Sequence, residues 1–407
     1  MAKQQKNFIS MSQASQLMPQ EELLMVKSDS KKFTIGVPKE IVFQEKRVAI
    51  VPSAVSLLVD NGFEITVEKD AGKNASFSNE QYADAGAILV DSSQEVFLCD
   101  IILKVAPATI DEVALMNKRV IIISALHERI QSKEYYRSLM QKGITALSYE
   151  HIRNYTNEHP ILHSISEIVG STSILLASTY LADLEWGRGK MLGGFIGINP
   201  SEVVILGAGA VAESAAKTAI GLGALVKVFD NSITDLRRLQ TNVGKPIYSS
   251  ILQPDVLKNA LKTADVVIGA LYLENGNAAP IVSEQMVESM KDGAVIIDIS
   301  IDKGGCFETS KVTNHDNPVF KKHGVTHYCV PNISSRTPHT SSYALSNYFA
   351  PFIIRMFDDG GLNQLIINDS GIRAGTYIYN GKLTFKSIAE QYGMHFQNLN
   401  LMLAAFR

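Results

Sequence analysis

The pattern that most constrains the fold is an alternation, from Phe33 onward, of short apolar runs rich in β-branched residues with amphipathic stretches of helical period. Such alternation predicts parallel strands joined by helices, because a parallel pair needs a long crossover connection. The apolar runs fall into a first series within 33–150 and a second within 202–330. We therefore expect two α/β domains in tandem. The remaining chain predicts an apolar helix over 342–357, interrupted by Pro351, and a tail that packs back on the first domain.

Length and composition narrow the function classes. A chain of 407 residues is too long for one ordinary core, and its net charge of −3 gives no basic field for nucleic acid. Three cysteines without CxxC spacing indicate reduced thiols rather than a disulfide scaffold or a zinc site. No run approaches the ~20 consecutive apolar residues of a membrane span. Residues 1–32 lack the apolar core of a signal peptide, so we interpret them as an N-terminal extension of a cytoplasmic protein.

The strongest local motif is a GxGxxA sequence formed by Gly207, Gly209 and Ala212, between a predicted strand and a predicted helix. The first glycine permits a tight turn, the second lets the backbone approach a pyrophosphate, and the small third residue permits close packing. Asp230 ends the next strand, where a carboxylate binds a ribose 2′-hydroxyl and repels a 2′-phosphate. The motif therefore favours NAD. FAD, S-adenosylmethionine, or an α/β turn without any nucleotide are the alternatives.

Four polar residues stand at or near predicted strand ends, where a parallel sheet delivers side chains to a site. Arg47 follows the first strand, Lys104 lies inside the apolar run DIILKVA, His127 follows RVIIISAL, and Asp302 follows AVIIDIS. Each also has a structural interpretation: a surface arginine, a lysine that meets an anion, a turn histidine and an aspartate capping a turn. Together they suit hydride-transfer chemistry on a small carboxylate, with arginine and lysine binding it and histidine and aspartate managing protons and water.

Several blocks carry a resemblance to a known family. The chain from about Phe33 to Phe406 resembles alanine dehydrogenase and, more distantly, the first domain of the proton-translocating nicotinamide nucleotide transhydrogenase. The blocks are GVPKE (36–40), KRVAIVP (46–52), LKV (103–105), SEIVG (166–170), GRGKMLGG (187–194), VVILGAGAVAESAA (203–216), ADVVIGA (264–270), DISIDKGGCFE (298–308), VPN (330–332) and NGKLTFKSIAEQYG (380–393).

The resemblance implies an architecture of two Rossmann-like domains with mainly parallel sheets, the NAD domain being inserted into a discontinuous substrate domain. The corresponding ranges are an extension over 1–32, a substrate domain over 33–162 and 338–407, and an NAD domain over 163–337. It also implies a homo-oligomer, a hexamer, with no membrane partner.

Residue roles follow from the same resemblance. Arg47 and Lys104 match residues that bind the substrate carboxylate and keto oxygen, and His127 matches the proton-transfer residue. Asp302 matches a second catalytic residue beside water and the reacting carbon, and Asn332 an asparagine near the nicotinamide and substrate. The implied reaction is the NAD-dependent oxidative deamination of L-alanine to pyruvate and ammonium, through iminopyruvate and a carbinolamine.

Three segments depart from the family pattern: Val105-Ala106-Pro107 after Lys104, the loop 274–280, and ISSRTPHTSS over 333–342. Two other functions therefore stay open. One is a related dehydrogenase that reduces a bulkier imine. The other is an NAD(H)-binding subunit of a transhydrogenase, which would need no proton-transfer residues.

Overall fold

The structure, a computed structural model, describes residues 33–128, 130–271 and 280–404. Within these ranges the strands form one sheet of eight and one of seven. In chain order the strands are β1 (Thr34–Val37), β2 (Glu64–Glu68), β3 (Ile88–Val90), β4 (Ile101–Leu103), β5 (Ile121–Ser124), β6 (Thr145–Ser148), β7 (Glu202–Leu206), β8 (Leu225–Phe229), β9 (Tyr248–Ser250), β10 (Val266–Gly269), β11 (Val295–Asp298), β12 (Val319–Lys322), β13 (Val325–Tyr328), β14 (Thr376–Tyr379) and β15 (Lys382–Leu383).

Helices connect most of these strands. They are α1 (Pro52–Asp60), α2 (Asn79–Asp84), α3 (Ser93–Phe97), α4 (Ile110–Leu115), α5 (Lys133–Gln141), α6 (Pro160–Ala182), α7 (Ala210–Gly221), α8 (Ile233–Val243), α9 (Pro254–Thr263), α10 (Glu284–Glu288), α11 (Pro338–Asp358), α12 (Leu362–Asn368), α13 (Ser370–Gly375), α14 (Lys386–Tyr392) and α15 (Leu399–Ala404). Short 3₁₀ helices span Lys73–Ala75, Ile299–Lys303 and Ile333–Arg336.

The sheet orders show how the chain is arranged. The first sheet has the order β15-β14-β6-β5-β4-β1-β2-β3, and the second has the order β12-β13-β11-β10-β7-β8-β9. Strands β1–β6 pair in parallel, and β14 joins β6 in antiparallel fashion, with Thr376 opposite Leu147. The first sheet is thus completed by strands that follow the whole second sheet. We call these sheets with their packed helices the first lobe and the second lobe.

The central strands are buried on both faces. Every residue of β10 and β11 is buried, as expected of a parallel sheet that helices cover on each side. One core cluster of the first lobe joins Ile35 and Leu103 from its strands to Phe349 and Ile366 from the C-terminal helices. The tail therefore packs back on the first lobe, and the predicted insertion of one α/β lobe into another is confirmed.

Two local predictions differ from the structure. Helix α11 runs without interruption through Pro351, because Phe349, Phe352 and Ile353 on both sides of the proline are buried in the core. Their burial offsets the hydrogen bond that the proline ring removes from the helix. The sequence analysis also predicts none of five observed strands, which are β3, β9, β12 and, in the tail, β14 and β15.

Helix α6 is, within the described ranges, the one helix long and apolar enough to span a membrane by length and composition. It packs against α7 and α11 in this structure, and Ile174, Ala177 and Leu181 on it are buried. Gly170 permits the close approach to α7, since an added Cβ would lie 2.3 Å from the carbonyl oxygen of Val211. Part of the apolar surface of α6 is thus buried in the protein's own core.

Candidate functional site

The carboxyl ends of the parallel strands supply the polar residues predicted to carry chemistry. Lys104 comes directly after β4 and His127 shortly after β5, both in the first lobe. Asp302 lies in the 3₁₀ helix that follows β11, and Asn332 precedes the 3₁₀ helix that follows β13. Carboxyl ends of parallel strands share one edge of a sheet, which is where open α/β sheets place their sites.

Arg47 is a buried residue on the long connection between β1 and α1. Its guanidinium forms a two-point ion pair with Glu45, with Nε 2.7 Å from Oε1 and Nη2 2.6 Å from Oε2. Burial alone would raise the pKa of the Glu45 carboxyl, but the Arg47 charge and hydrogen bonds from Arg47 and Ser335 lower it to about 2. The pair therefore stays charged throughout the physiological pH range, and Arg47 is not a surface arginine.

The backbone around Arg47 is held by serine hydroxyls of the 333–346 segment. Ser342 Oγ accepts the N–H of Val48 at 2.9 Å, and Ser346 Oγ accepts the N–H of Val51 at 2.7 Å. A buried loop has no ladder to satisfy its N–H groups, so side-chain acceptors must do so. The departing ISSRTPHTSS sequence thus supports the loop that carries Arg47.

Arg336 and His339, the other unusual residues of this segment, are both exposed. His339 Nδ1 lies 3.0 Å from the carbonyl oxygen of Ala75, and the ring stacks on Phe77. His339 therefore attaches the start of α11 to the first lobe. Residues 274–279 of the loop that departs from the family pattern lie outside the described residues.

Lys104 is fully buried between two carboxylates. Its Nζ lies 2.8 Å from Glu112 Oε1 and 3.3 Å from Glu40 Oε2. Burial works against the charged amine, but Glu40 and Glu112 raise the pKa of Lys104 above its ordinary value. Glu112 is itself fixed as part of a capping box with Thr109 at the start of α4. The lysine is therefore a positioned cation, as required of a group that binds a keto oxygen.

His127 occupies a left-handed backbone conformation, with φ of 47°. Glu150, which follows β6, holds this turn: its Oε2 accepts the N–H groups of Leu126 at 2.7 Å and of His127 at 3.1 Å. Glu150 Oε1 lies 3.8 Å from His127 Nε2, and the imidazole is 42% exposed. Glu150 thus holds the backbone of His127, while the partly exposed imidazole ring is accessible to a substrate.

Asp302 and Asn332 bring the second lobe to the same place. Part of Asp302 is exposed to solvent, but the surrounding protein partly desolvates its carboxyl, and this desolvation raises the pKa of Asp302. A hydrogen bond from the backbone N–H of Asn332 and the charge of His127 act in the opposite direction and lower this pKa. Asn332 also has a left-handed φ of 55°, and its Nδ2 donates to Glu45 Oε2 at 2.9 Å. The hydrogen bond from Asn332 to Glu45 therefore links the two lobes, and the His127 charge acts on the Asp302 carboxyl from the other lobe.

The glycine motif has the geometry of a dinucleotide-binding turn. Gly207 has φ of 113°, and an added Cβ would lie 2.4 Å from the carbonyl oxygen of Ala270, so only glycine fits. Gly209 caps α7, and a Cβ added there would meet no atom within 4 Å. Ala212 is fully buried on the first turn of α7. Open space at the N-terminus of a twelve-residue helix suits a bound phosphate.

Asp230 lies at the end of β8, beside this turn. Its Oδ2 accepts the N–H of Ala208 at 2.8 Å and its Oδ1 the N–H of Ser232 at 2.7 Å. Each oxygen retains further acceptor capacity, since an ionised carboxylate has about four acceptor sites. The geometry thus leaves Asp230 able to accept a ribose hydroxyl.

The sequence prediction missed the carboxylates that hold the cations and the histidine. They are Glu40, Glu45, Glu112 and Glu150. Glu112 had a readable signal, since Thr109-x-x-Glu112 is a capping-box pattern. The three others lie within two or three residues of predicted strand ends or of Arg47, but only the folded contacts identify their partners.

The chain is similar to known proteins over most of its length. The family description "Alanine dehydrogenase/PNT, N-terminal domain" matches residues 36–169, and "Alanine dehydrogenase/PNT, C-terminal domain" matches residues 173–386. An alanine dehydrogenase from Methanococcus maripaludis is 36% identical over 88% of this chain and 96% of its own. One from Bacillus subtilis is 35% identical over 89% of this chain and 95% of its own.

A solved structure named L-alanine dehydrogenase superposes with a TM-score of 0.82 at 33% sequence identity. The match covers 89% of this chain and 99% of that one. The fold, the order of the motifs and the length of the match all agree. The chain belongs to the alanine dehydrogenase/PNT family.

Proposed function

We propose that this protein is an NAD-dependent alanine dehydrogenase that interconverts L-alanine with pyruvate and ammonium. The proposal is supported by two buried, positioned cations, Arg47 and Lys104, and by an Asp302 carboxyl on which the His127 charge acts across the two lobes. A small 2-oxo acid or amino acid needs cations for its carboxylate and carbonyl. Imine hydrolysis needs groups that move protons.

In this proposal Arg47 binds the substrate carboxylate and Lys104 binds the oxygen on C2. Removal of the α-hydrogen of alanine as a hydride, which the bound dinucleotide would accept, together with a proton from the amine, leaves an imine, to which water adds at C2 before ammonia leaves. Asp302, with its raised pKa, holds the water and accepts or returns its proton. His127, held at its backbone by Glu150, exchanges the second proton with the departing or attacking amine. Asn332 fixes the turn beside Asp302.

The second lobe fits the cofactor. Gly207 and Gly209 leave the start of α7 open to a pyrophosphate, and Asp230 stands where a ribose hydroxyl would lie. When bound, NAD⁺ supplies the two-electron acceptor for the α-carbon. We further propose that the domain divisions lie at α6 and α11, where the predicted boundaries at 162/163 and 337/338 fall.

We propose that the enzyme acts in the cytoplasm as a homo-oligomer, a hexamer, without a membrane partner. Self-association is supported by Met191, Ile196 and Ile198, which are 65%, 107% and 65% exposed on one loop of the second lobe. Gly194 of this loop donates to the carbonyl of Leu222, itself 40% exposed, so the apolar surface is continuous with the end of α7. Such clustered exposure is typical of association surfaces. Light scattering coupled to size exclusion measures the number of subunits.

The deciding experiment is a spectrophotometric assay of NADH formation by the isolated protein with L-alanine. A panel of pyruvate, glyoxylate and 2-oxoglutarate with ammonium tests the reverse direction. Turnover confined to small substrates supports alanine dehydrogenase, and preference for 2-oxoglutarate or larger acids supports the bulkier-imine alternative. A protein that binds NADH but oxidises no amino acid would contradict the proposal and favour the transhydrogenase-subunit alternative.

Lys104→Ala tests the substrate site within the same assay. Truncating one partner of a buried charged pair costs about 2 to 5 kcal/mol. We therefore expect turnover with pyruvate to fall by at least about 30-fold, while NADH affinity is retained. Lys258→Ala, on the exposed face of α9, is the matched control and should behave as the unmodified protein. If NADH affinity falls as far as turnover, Lys104 belongs to the cofactor site or to the fold.

A further inference from the structure

The Glu45 carboxylate accepts hydrogen bonds from Arg47 in the first lobe and from Asn332 and Ser335 in the second lobe. Oε1 accepts from Arg47 N at 3.0 Å, from Arg47 Nε at 2.7 Å and from Ser335 Oγ at 2.8 Å. Oε2 accepts from Arg47 Nη2 at 2.6 Å and from Asn332 Nδ2 at 2.9 Å. The side chain is 3% exposed, so water does not substitute for these donors. Glu45 is a saturated, buried carboxylate whose donors come from both lobes.

This pairing fixes one edge of the Arg47 guanidinium. Glu45 engages Nε and Nη2, and the pair does not use Nη1. A guanidinium presents donors on more than one edge, so an arginine held along one edge still offers a second carboxylate the Nη1 and remaining Nη2 protons. The carboxylate of Glu45 thus sets the direction in which that second edge points.

The preceding residue makes a second attachment to the second lobe. Gln44 Oε1 accepts the N–H of His315 at 2.8 Å, and Gln44 Nε2 donates to Asp316 Oδ2 at 3.2 Å. Gln44 has a left-handed φ of 61°, which turns these two neighbouring side chains onto the second lobe. The loop that carries Arg47 therefore meets the second lobe through consecutive residues, Gln44 and Glu45.

We propose that Glu45 is a positioning residue that makes the orientation of Arg47, and hence recognition of the substrate carboxylate, depend on contact with Asn332 and Ser335 of the second lobe. The inference rests on the proposed function, because it takes Arg47 as the group that binds a small 2-oxo acid or amino acid. Carboxylate affinity is then coupled to the arrangement of the lobes and is not a property of the first lobe alone.

The opposite role for Glu45 is competition, in which it occupies Arg47 until the substrate displaces it. Displacement would remove the acceptor of the fully buried Ser335 hydroxyl and one of the two acceptors of the Asn332 amide, which is costly. It would also release a carboxylate whose low pKa keeps it charged. The hydrogen-bond pattern therefore favours positioning, and the two roles predict opposite changes in KM.

The test compares Glu45→Gln, Glu45→Asp and Ser335→Ala with the unmodified enzyme. Glu45→Gln should raise KM for pyruvate by at least about 30-fold with a smaller change in kcat, and with NADH Kd within about threefold of the unmodified value. Ser335→Ala leaves the ion pair and should raise KM by about 3- to 10-fold. Glu45→Asp keeps the charge and should recover part of the loss. The effects of Glu45→Gln and Ser335→Ala should be non-additive, since both act on one network.

Ser173→Ala is the matched control, because Ser173 is a fully buried serine on α6 whose hydroxyl donates to the carbonyl oxygen of Gly170 at 2.7 Å and does not contact Glu45 or the loop that carries Arg47. It should leave KM unchanged. A lower KM in Glu45→Gln would establish competition. An unchanged KM, or additive effects of Glu45→Gln and Ser335→Ala, would establish a purely structural role. Either outcome overturns the inference. If Glu45→Gln does not fold, Ser335→Ala decides. Absence of turnover in the unmodified protein would refute the proposed function instead.

In that case, calorimetric titration of pyruvate in the presence of NADH measures the pyruvate affinity of the same variants.

Discussion

Glu40 is the buried carboxyl whose protonation should be most visible in the stability of the protein. Its side chain is 4% exposed, its Oε1 accepts the N–H of Val105 at 2.6 Å, and its Oε2 lies 3.3 Å from Lys104 Nζ. Burial raises the pKa of Glu40 to about 7, against the opposing charge of Lys104, with smaller increases from Glu45 and Glu112. The raised pKa of Lys104 argues instead for a charged Glu40. Glu112, closer to Nζ at 2.8 Å, suffices to keep the lysine charged, so we expect Glu40 to be protonated below pH 7.

The sign of the effect on stability follows from this pKa. A carboxyl whose folded pKa lies near 7, above the ordinary 4.5, stabilises the fold fully below pH 4.5, and this contribution is lost as the pH rises through 7. At 1.36 kcal/mol per pKa unit the total is about 3 kcal/mol, of which about 2 to 3 kcal/mol falls between pH 5 and pH 8. Glu40→Gln keeps the shape of the protonated form and does not titrate.

Urea unfolding of Glu40→Gln and the unmodified protein at pH 5, 6, 7 and 8 measures this contribution. The difference in free energy of unfolding should move in favour of Glu40→Gln by about 2 to 3 kcal/mol across the range. Glu288→Gln, at an exposed position on α10, is the control and should give a constant difference. A constant difference for Glu40→Gln, or one that moves the other way, would show that Glu40 is ionised in the folded protein and refute the reasoning.

Three further predictions concern the cofactor and the proton-moving groups. Asp230→Ser should relax the preference for NAD, measured as the ratio of kcat/KM for NAD and NADP, and an unchanged ratio would exclude Asp230 as the ribose ligand. His127→Asn, chosen because asparagine tolerates the left-handed φ, and Asp302→Asn should each lower kcat by roughly 10²-fold with NADH binding retained; near-normal kcat in both would contradict the mechanism. Gly209→Val should abolish NADH binding while circular dichroism stays unchanged, because its added carbons point into open space beside α7, and normal binding would place the cofactor elsewhere.

The elements that sequence predicted well are those whose signal is local. Strands β10 and β11 are continuous apolar runs because both faces are covered, and Gly207 and Gly209 follow β7 in the order that the turn requires. The position of His127 shortly after β5 could be predicted for the same reason, whereas Lys104, predicted inside a strand, comes directly after β4. The roles of these residues stay predictions until the variants are measured.

What sequence did not predict depends on partners far along the chain. Strand β14 consists of β-favouring residues and is followed by Asn380-Gly381, a hairpin signal that the prediction overlooked. Its place beside β6, more than two hundred residues earlier, is visible only in the fold. Helix α11 passes through Pro351 because tertiary packing outweighs local preference. Glu45 resembles a surface residue in sequence, and only the folded contacts with Asn332 and Ser335 identify it as buried.

The completion of the first sheet by β14 and β15 has a consequence for biosynthesis. A ribosome that adds about 5 to 20 residues per second needs on the order of tens of seconds to pass from β6 to β14. During that interval the edge of β6 lacks its partner β14, while the second sheet, contiguous in sequence, has all its strands as soon as β13 is made. Unpaired edges of this kind invite association between nascent chains and recruit chaperones. We therefore expect the second lobe to acquire protease resistance first in ribosome-bound chains, and the first lobe to remain cleavable until the C-terminal strands emerge.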